Sequence, residues 1–309
     1  MKYFELDTQS QFKEKNLCLA IGNFDGFHKG HIAIINLLKK IAKEKNQNTA
    51  IMSFNPHPRK FFEGKIENFN IYTKSDKINF LKKFDIDIYI EYTFDKNLSE
   101  LSAYQFVENI LIDQINIKNV VVGKDFKFGK DRLGNFEILE NYSQKNNFNV
   151  HLVESIMLSD SSDKFSSSII RENIKNGEIE KVNFALGRHW HMTGLIVEGD
   201  KRARKINFPT ANIIPDKHIF PRKGVYCIEA YVNDQKYLGI SNFGERPTVD
   251  GSNLLLETHI FNFSEEIYGN ELTVQFLTFI RPEKKFANFD ELAKQIKKDT
   301  ETAKKYHNI

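Results

Sequence analysis

Two histidines three residues apart, His28 and His31, close the stretch Ala20-Ile-Gly-Asn-Phe-Asp-Gly-Phe-His-Lys-Gly-His31. An apolar run, a Gly-containing loop and an amphipathic segment follow in that order, which predicts a strand ending at Ile21 and a helix starting near Gly30. Gly22, Gly26 and Gly30 let the backbone turn tightly and let a ligand approach main-chain N–H groups. A helix N-terminus adds unpaired donors and a partial positive charge, a seat for phosphate. His28 and His31 share one face there. Two imidazoles so placed can stabilise charge building on a phosphate during an in-line displacement that needs no protein nucleophile. The bland alternative is a Gly-rich turn carrying two surface histidines. Zinc is disfavoured, since no third His or Cys is spaced to complete a site.

Four further segments carry chemistry. Ser166-Ser-Ser-Ile-Ile-Arg171 opens a helix with hydroxyl and backbone donors and adds an arginine able to neutralise pyrophosphate; a serine N-cap beside an incidental arginine is the alternative. Ser53-Phe-Asn-Pro-His-Pro58 stiffens a strand-end loop and leaves Asn55 and His57 exposed, or is a plain turn. In Val122-Gly-Lys-Asp-Phe-Lys-Phe-Gly129, two glycines frame a loop around Asp125. Phe208-Pro-Thr-Ala-Asn212 places a hydroxyl, Thr210, and an amide, Asn212, two residues apart on one side of an extended backbone. These are hard oxygen ligands suited to Mg²⁺ and a nucleotide phosphate, though such a tetrapeptide alone is a weak signal.

The elements that must position these residues have two textures. Short runs rich in Ile, Val or Phe at 17–21, 49–54, 86–90, 119–122 and 149–153 read as buried strands. Amphipathic stretches at 32–45 and 103–115 lie between them. Such alternation predicts a doubly wound, mostly parallel sheet with helices on both faces and ligands at the strands' carboxyl ends. After Arg188 the runs at 191–198, 206–213, 225–232, 236–243, 254–261 and 272–281 are separated only by turn-like spacers, which predicts an antiparallel barrel or sandwich. A helix at 289–305 closes the chain, with acids at its start and lysines near its end. Residues 168–186 read as two short helices broken at Gly177 that join the halves.

Composition narrows the function classes. Length, at 309 residues, is about two domains' worth. The 44 Lys+Arg against 41 Asp+Glu leave +3, which weakens a nucleic-acid reading because no backbone-binding footprint stands out. Apolar runs fall far short of the roughly 20 residues of a membrane helix, and the opening MKYFELDTQSQF has no apolar core for a signal peptide. Cys18 and Cys227, the two cysteines, exclude a disulfide framework and read as buried reduced thiols. A cytoplasmic protein that binds neither membrane nor nucleic acid is expected.

The stretch 22–31 resembles the His-x-Gly-His nucleotidyltransferases, and more narrowly the FMN adenylyltransferase half of the bacterial bifunctional riboflavin kinase/FAD synthetases. The segments around Asn55, Asp125 and Ser167 fall where that family has them. In the second half, Leu186-Gly-Arg188, Phe208-Pro-Thr-Ala-Asn212, Pro221-Arg-Lys-Gly-Val-Tyr226, Asn242-Phe-Gly-Glu-Arg-Pro-Thr248, Leu256-Glu-Thr-His259 and Phe276–Phe286 occur in the order of the riboflavin kinase module. The resemblance implies a Rossmann-like adenylyltransferase domain at 1–183 and a small antiparallel β-barrel kinase domain with a C-terminal helix at 184–309. It implies ATP-dependent phosphorylation of riboflavin to FMN, then adenylylation of FMN to FAD, with Mg²⁺ as cofactor and ATP and flavins as small-molecule partners. Catalysis would fall to His28, His31, Ser168, Arg171 and, as general base, Glu257. The nucleotide would be held by Gly22, Phe24, Asp25, Gly26, Gly30, Ser167, Thr210 and Asn212, the last two also taking Mg²⁺; flavin would meet Asn55 and Asp125. Strand alternation puts Glu257 on one face with Leu255 and His259. No Walker A or protein-kinase glycine loop offers another ATP site.

Three positions depart from the pattern. Ala203 and Asn207 stand where glycines are usual; Asn tolerates a left-handed backbone, but Ala203 tolerates it poorly, which predicts a flap over the nucleotide that is stiffer or differently shaped, and Asn262 stands where Asp is more common. The rival readings are a monofunctional FMN adenylyltransferase with a flavin-binding but inactive C-terminal module, and a flavin-sensing or RNA-binding regulator on a degenerate enzyme scaffold.

Overall fold

The computed structural model describes residues 1–64, 68–154, 165–197, 210–215, 218–248, 251–263 and 265–309. Ala203 and Asn207 lie outside these residues. Contacts divide the chain into two compact units, Met1–Ile66 with Thr73–Ser166, and Glu67–Tyr72 with Ser167–Ile309.

In chain order the first unit holds β1 (Lys2–Leu6), β2 (Leu17–Ile21), α1 (Lys29–Lys45), β3 (Asn48–Asn55), α2 (Pro58–Glu63), α3 (Lys74–Lys83), β4 (Ile88–Thr93), α4 (Lys96–Glu100), α5 (Ala103–Gln105), β5 (Asn119–Gly123), α6 (Phe136–Ser143) and β6 (Asn149–Val153). The six strands form one sheet in the order β1-β4-β3-β2-β5-β6, and every neighbouring pair is parallel. Strand alternation sorts the side chains between two cores. Leu17, Leu19, Ile21, Met52, Ile90 and Val122 join one with Phe106, Ile110 and Leu111. Cys18, Ala20, Ile51, Tyr89 and Val121 join the other with Ile35 and Leu38 of α1 and Leu81 of α3. Both faces are therefore covered by helix, as a parallel sheet requires. From β2 the chain winds outward to β3 and β4, then returns to lay β5 on the other side. That reversal opens a crevice at the carboxyl end of β2, where ligands of such sheets bind.

Two expectations need adjustment. The strand expected at 86–90 runs from Ile88 to Thr93, because the Ile86 N–H is taken by Leu81 O at the end of α3. The charge of Glu91 breaks the apolar run and hides the strand's second half. The helix expected at 103–115 is present, but Phe106–Gln114 winds as a π-helix. Its wider turns keep Phe106, Val107, Ile110 and Leu111 buried while the Gln114 amide donates to Asp7 O and Ser10 O and accepts from the Tyr92 hydroxyl.

The second unit holds α7 (Ser167–Asn176), α8 (Ile179–Leu186), β7 (Trp190–Val197), β8 (Ala211–Ile213), β9 (Gly224–Val232), β10 (Gln235–Thr248), β11 (Gly251–Ile260), β12 (Glu271–Pro282) and α9 (Phe289–His307). Its six strands close a barrel in the order β10-β11-β8-β7-β12-β9, antiparallel throughout. Of the strand expected at 206–213, residues 211–213 are described as strand and 206–209 lie outside the described residues. The helix α9 covers one side through Ala303, which packs with Cys227, Ile240 and Leu277. Arg281 of β12 donates through the Nε/Nη2 edge of its guanidinium to the buried Asp299 carboxylate of α9 at 2.7–3.0 Å. Both cysteines are free and buried, and burial pushes each thiol up to about 12.

Candidate active sites

The loop from β2 to α1 is held in an unusual backbone. Phe24 (φ 48°), Gly26 (φ 95°) and Phe27 (φ 44°) all lie in the left-handed region. Two phenylalanines there cost on the order of 1–3 kcal/mol each. The cost is offset by complete burial of both rings, which stack at 6.2 Å, with Phe27 also against Phe80 and Phe84. The contorted loop delivers His28 to the N-cap of α1, where its Nδ1 accepts the His31 amide at 3.4 Å. In the neutral ring the proton then sits on Nε2. The His28 and His31 rings stack at 3.7 Å and 22°, and Phe24 backs His31 at 5.1 Å. Gly30 leaves room for the His28 ring, from which a Cβ at this position would stand only 3.1 Å. Gly22 bonds its N–H to Met52 O on the neighbouring strand, and Asp25 is buried in the same loop.

The parallel order places three sequence-predicted segments along one edge. Gly22 follows β2, Asn55 ends β3, and Asp125 sits two residues beyond β5, on strands that are neighbours. Asn55 is oriented by Glu91, a buried carboxylate of β4 that accepts from Asn55 Nδ2 at 3.1 Å, Tyr3 Oη at 3.1 Å and Lys74 Nζ at 2.8 Å. Desolvation works against the Lys74 ammonium, but its hydrogen bonds to Glu5 and Glu91 hold its pKa above the usual lysine range. Asp125 is exposed in the turn. Sequence reasoning missed Lys77 of α3, whose amine donates to Asn23 O at 2.9 Å. Burial pushes that ammonium below the usual lysine range, opposed by the charges of Asp25 and Glu91. The box Thr73-Lys-Ser-Asp76 was a readable helix start, but nothing local aims Lys77 at residue 23. Glu91 had a signal, a charge inside an apolar strand.

In the second unit Ser167 opens α7 and Ser168, in its first turn, is exposed. Arg171, one turn on, is buried; its Nε donates to Phe69 O at 3.0 Å and its guanidinium lies 3.8 Å over the Phe69 ring.

On the barrel, Asn212 of β8 pairs in register with Glu257 of β11, and Glu257 pairs on its other side with Asn242 of β10. Directly opposed residues of antiparallel strands place their Cβ atoms about 4.5–5.5 Å apart on one face. Sequence spacing cannot bring these three together; barrel register does. Glu257 is half-buried, while Asn212 is 2% exposed and its Oδ1 is buried without a hydrogen-bond partner. A buried orphan oxygen costs about 1–3 kcal/mol, and a hard cation is the partner that suits it. Thr210 immediately precedes β8. Next along the face of Glu257, His259 lines an open groove with Phe261, Asn262, Lys297 and Lys304. Asn262 takes a left-handed backbone (φ 54°), which Asn tolerates. Inside the barrel Ser241 and Thr258 satisfy each other at 2.7 Å.

A doubly wound sheet with a His-x-Gly-His helix start, followed by a six-stranded barrel bearing an Asn–Glu pair, defines a nucleotidyltransferase joined to a phosphotransferase. The FAD synthetase family profile matches residues 10–169, and the riboflavin kinase profile matches 186–307. The chain belongs to the bifunctional riboflavin kinase/FMN adenylyltransferase family. It is 38% identical to the Haemophilus influenzae bifunctional riboflavin kinase/FMN adenylyltransferase, over 94% of each chain. It is 35% identical to that of Listeria monocytogenes, over 97% of this chain and 95% of the relative. A solved structure described as a macrolide-efflux protein from Streptococcus pneumoniae is 29% identical, with a TM-score of 0.86 over 96% of this chain and 97% of that one. Among the described residues no helix is long and apolar enough to cross a membrane.

Proposed function

We propose that this chain makes flavin cofactors in two steps, phosphorylating riboflavin to FMN in residues 184–309 and adenylylating FMN to FAD in residues 1–183. In the kinase step Glu257 takes the proton of the ribityl 5′-hydroxyl as that oxygen attacks the γ-phosphorus of ATP and ADP leaves. Thr210 and Asn212 hold Mg²⁺; the orphaned Asn212 Oδ1 supports that fit. When bound, the ion supplies positive charge to the phosphates.

In the adenylyl step a phosphate oxygen of FMN attacks the α-phosphorus of a second ATP, and pyrophosphate leaves. His28 offers Nε2–H and His31 its stacked imidazole to the charge developing on the α-phosphate. Gly22, Phe24, Asp25, Gly26 and Gly30 shape the loop that receives the nucleotide. Ser167, Ser168 and Arg171 handle the departing pyrophosphate. Asn55 and Asp125 meet the flavin, Asn55 held in place through Glu91. The protein works in the cytosol on these small molecules, without nucleic acid or membrane.

The observation that carries two activities over one is the opposition of Glu257 to the buried, unpartnered Asn212. A module that had lost phosphoryl transfer would have no use for that arrangement. The test is chromatography of the flavins formed from riboflavin and Mg-ATP. FMN and FAD both appear on this reading; riboflavin left unchanged while added FMN becomes FAD refutes the kinase half.

A further inference from the structure

Residues 68–72 lie midway along the first half of the chain, yet their contacts group them with the second unit. Three consecutive carbonyls of this segment are each taken by a donor from that unit. Phe69 O accepts from Arg171 Nε at 3.0 Å, Asn70 O from the Ile219 N–H at 2.8 Å, and Ile71 O from Trp190 Nε1 at 3.2 Å. Trp190 is fully buried on β7, so the barrel itself anchors the segment. Tyr72 adds ring contact with His191 at 4.8 Å, and the Arg188 guanidinium stands 5.3 Å from its centroid. The segment therefore has no freedom to drift with a loop.

Phe69 makes two contacts to Arg171, its carbonyl to Nε in the guanidinium plane and its ring face at 3.8 Å against that plane. One in-plane bond and one stacking surface fix the orientation of a planar cation; either alone leaves it free to tilt. Phe69 and Arg171 are only 5% and 7% exposed, so water does not compete for these contacts. Arginine differs from lysine in presenting a rigid fork, and a fork aids phosphate recognition only when its plane is set.

We propose that Phe69 is a positioning residue for adenylyl transfer: it sets the plane of Arg171 and thereby its bidentate grip on pyrophosphate. The inference rests on the reading that Arg171 handles that leaving group. It makes FAD formation depend on a segment gripped by barrel residues that have no part in adenylyl chemistry.

The test uses the full-length chain and measures both activities. Phe69→Leu keeps the backbone carbonyl and most of the buried volume but removes the ring face. FAD formation from FMN is expected to fall about tenfold, a misplacement effect well inside the roughly 100-fold that 1 Å can cost. The KM for pyrophosphate in the reverse reaction rises with it, riboflavin phosphorylation holds, and Phe69→Tyr, which retains the ring, stays within about twofold of wild type. In an Arg171→Lys background, which keeps the charge but has no plane to set, Phe69→Leu adds less than about twofold. An undiminished Phe69→Leu effect in that background, or a parallel fall in kinase rate, overturns the positioning role. A wild-type rate of FAD formation in Arg171→Lys alone overturns the assignment of Arg171 beneath it.

Discussion

Gly30→Ala separates the stability of α1 from the chemistry at its start. Gly30 lies outside the left-handed region, so alanine is sterically allowed in the backbone and gains up to about 1 kcal/mol of helix propensity. The new methyl, however, would stand 3.1 Å from both Cε1 and Nδ1 of His28, close enough that the ring must move by a few tenths of an ångström. His28 has little room to give, because its Nδ1 accepts the His31 amide and its ring stacks on His31 at 3.7 Å. Weakening that cap costs about 0.5–2 kcal/mol. The two contributions nearly cancel, and unfolding free energy should stay within about 1 kcal/mol of wild type. Catalysis has no such compensation. Scaling from roughly 100-fold per 1 Å, a third of an ångström costs about fivefold in FAD formation. The assay follows FAD made from FMN and Mg-ATP, with FMN made from riboflavin in the same preparation as the control. An unchanged FAD rate would refute the claim that the His28 ring position matters. Equal losses in both rates would show instead that the substitution merely damages the fold.

Glu257→Gln should lower FMN formation by about 100-fold or more, the scale of a lost general base, while FAD formation from supplied FMN holds; equal loss of both would deny Glu257 that role. Burial lowers the pKa of the Lys77 ammonium, so the unfolded chain holds its proton more tightly than the folded one. The resulting destabilisation is fully present below the depressed value and is relieved as pH rises from there toward the ordinary lysine one. Urea unfolding of wild type against Lys77→Met from neutral to alkaline pH should therefore shift in the wild type's favour, and a pH-independent difference would contradict the burial. Asp299→Ala strands Arg281 without its bidentate partner and should cost about 3–5 kcal/mol; a loss below about 1 kcal/mol in thermal melts would show that the pair does not fasten α9.

What was legible in the sequence is what short-range spacing encodes. The strand–loop–helix around His28, the helix break at Gly177 and the alternating strands of the barrel are local patterns, set by backbone sterics and by periods of 3.6 and 2. They sufficed to read the two folds and to single out His28 and His31, whereas Asn212 and Glu257 were nominated by the resemblance to the riboflavin kinase module. Strand register, by contrast, is decided by which faces must be buried together. Only the closed barrel brings Asn212 opposite Glu257 across 45 residues of chain and adds Asn242 on the other side. Lys77 reaching Asn23, Glu91 holding Asn55, and Phe69 beneath Arg171 are likewise invisible to spacing. Each is a contact between residues tens of positions apart, formed because a buried charge must find a partner wherever the packed chain places one.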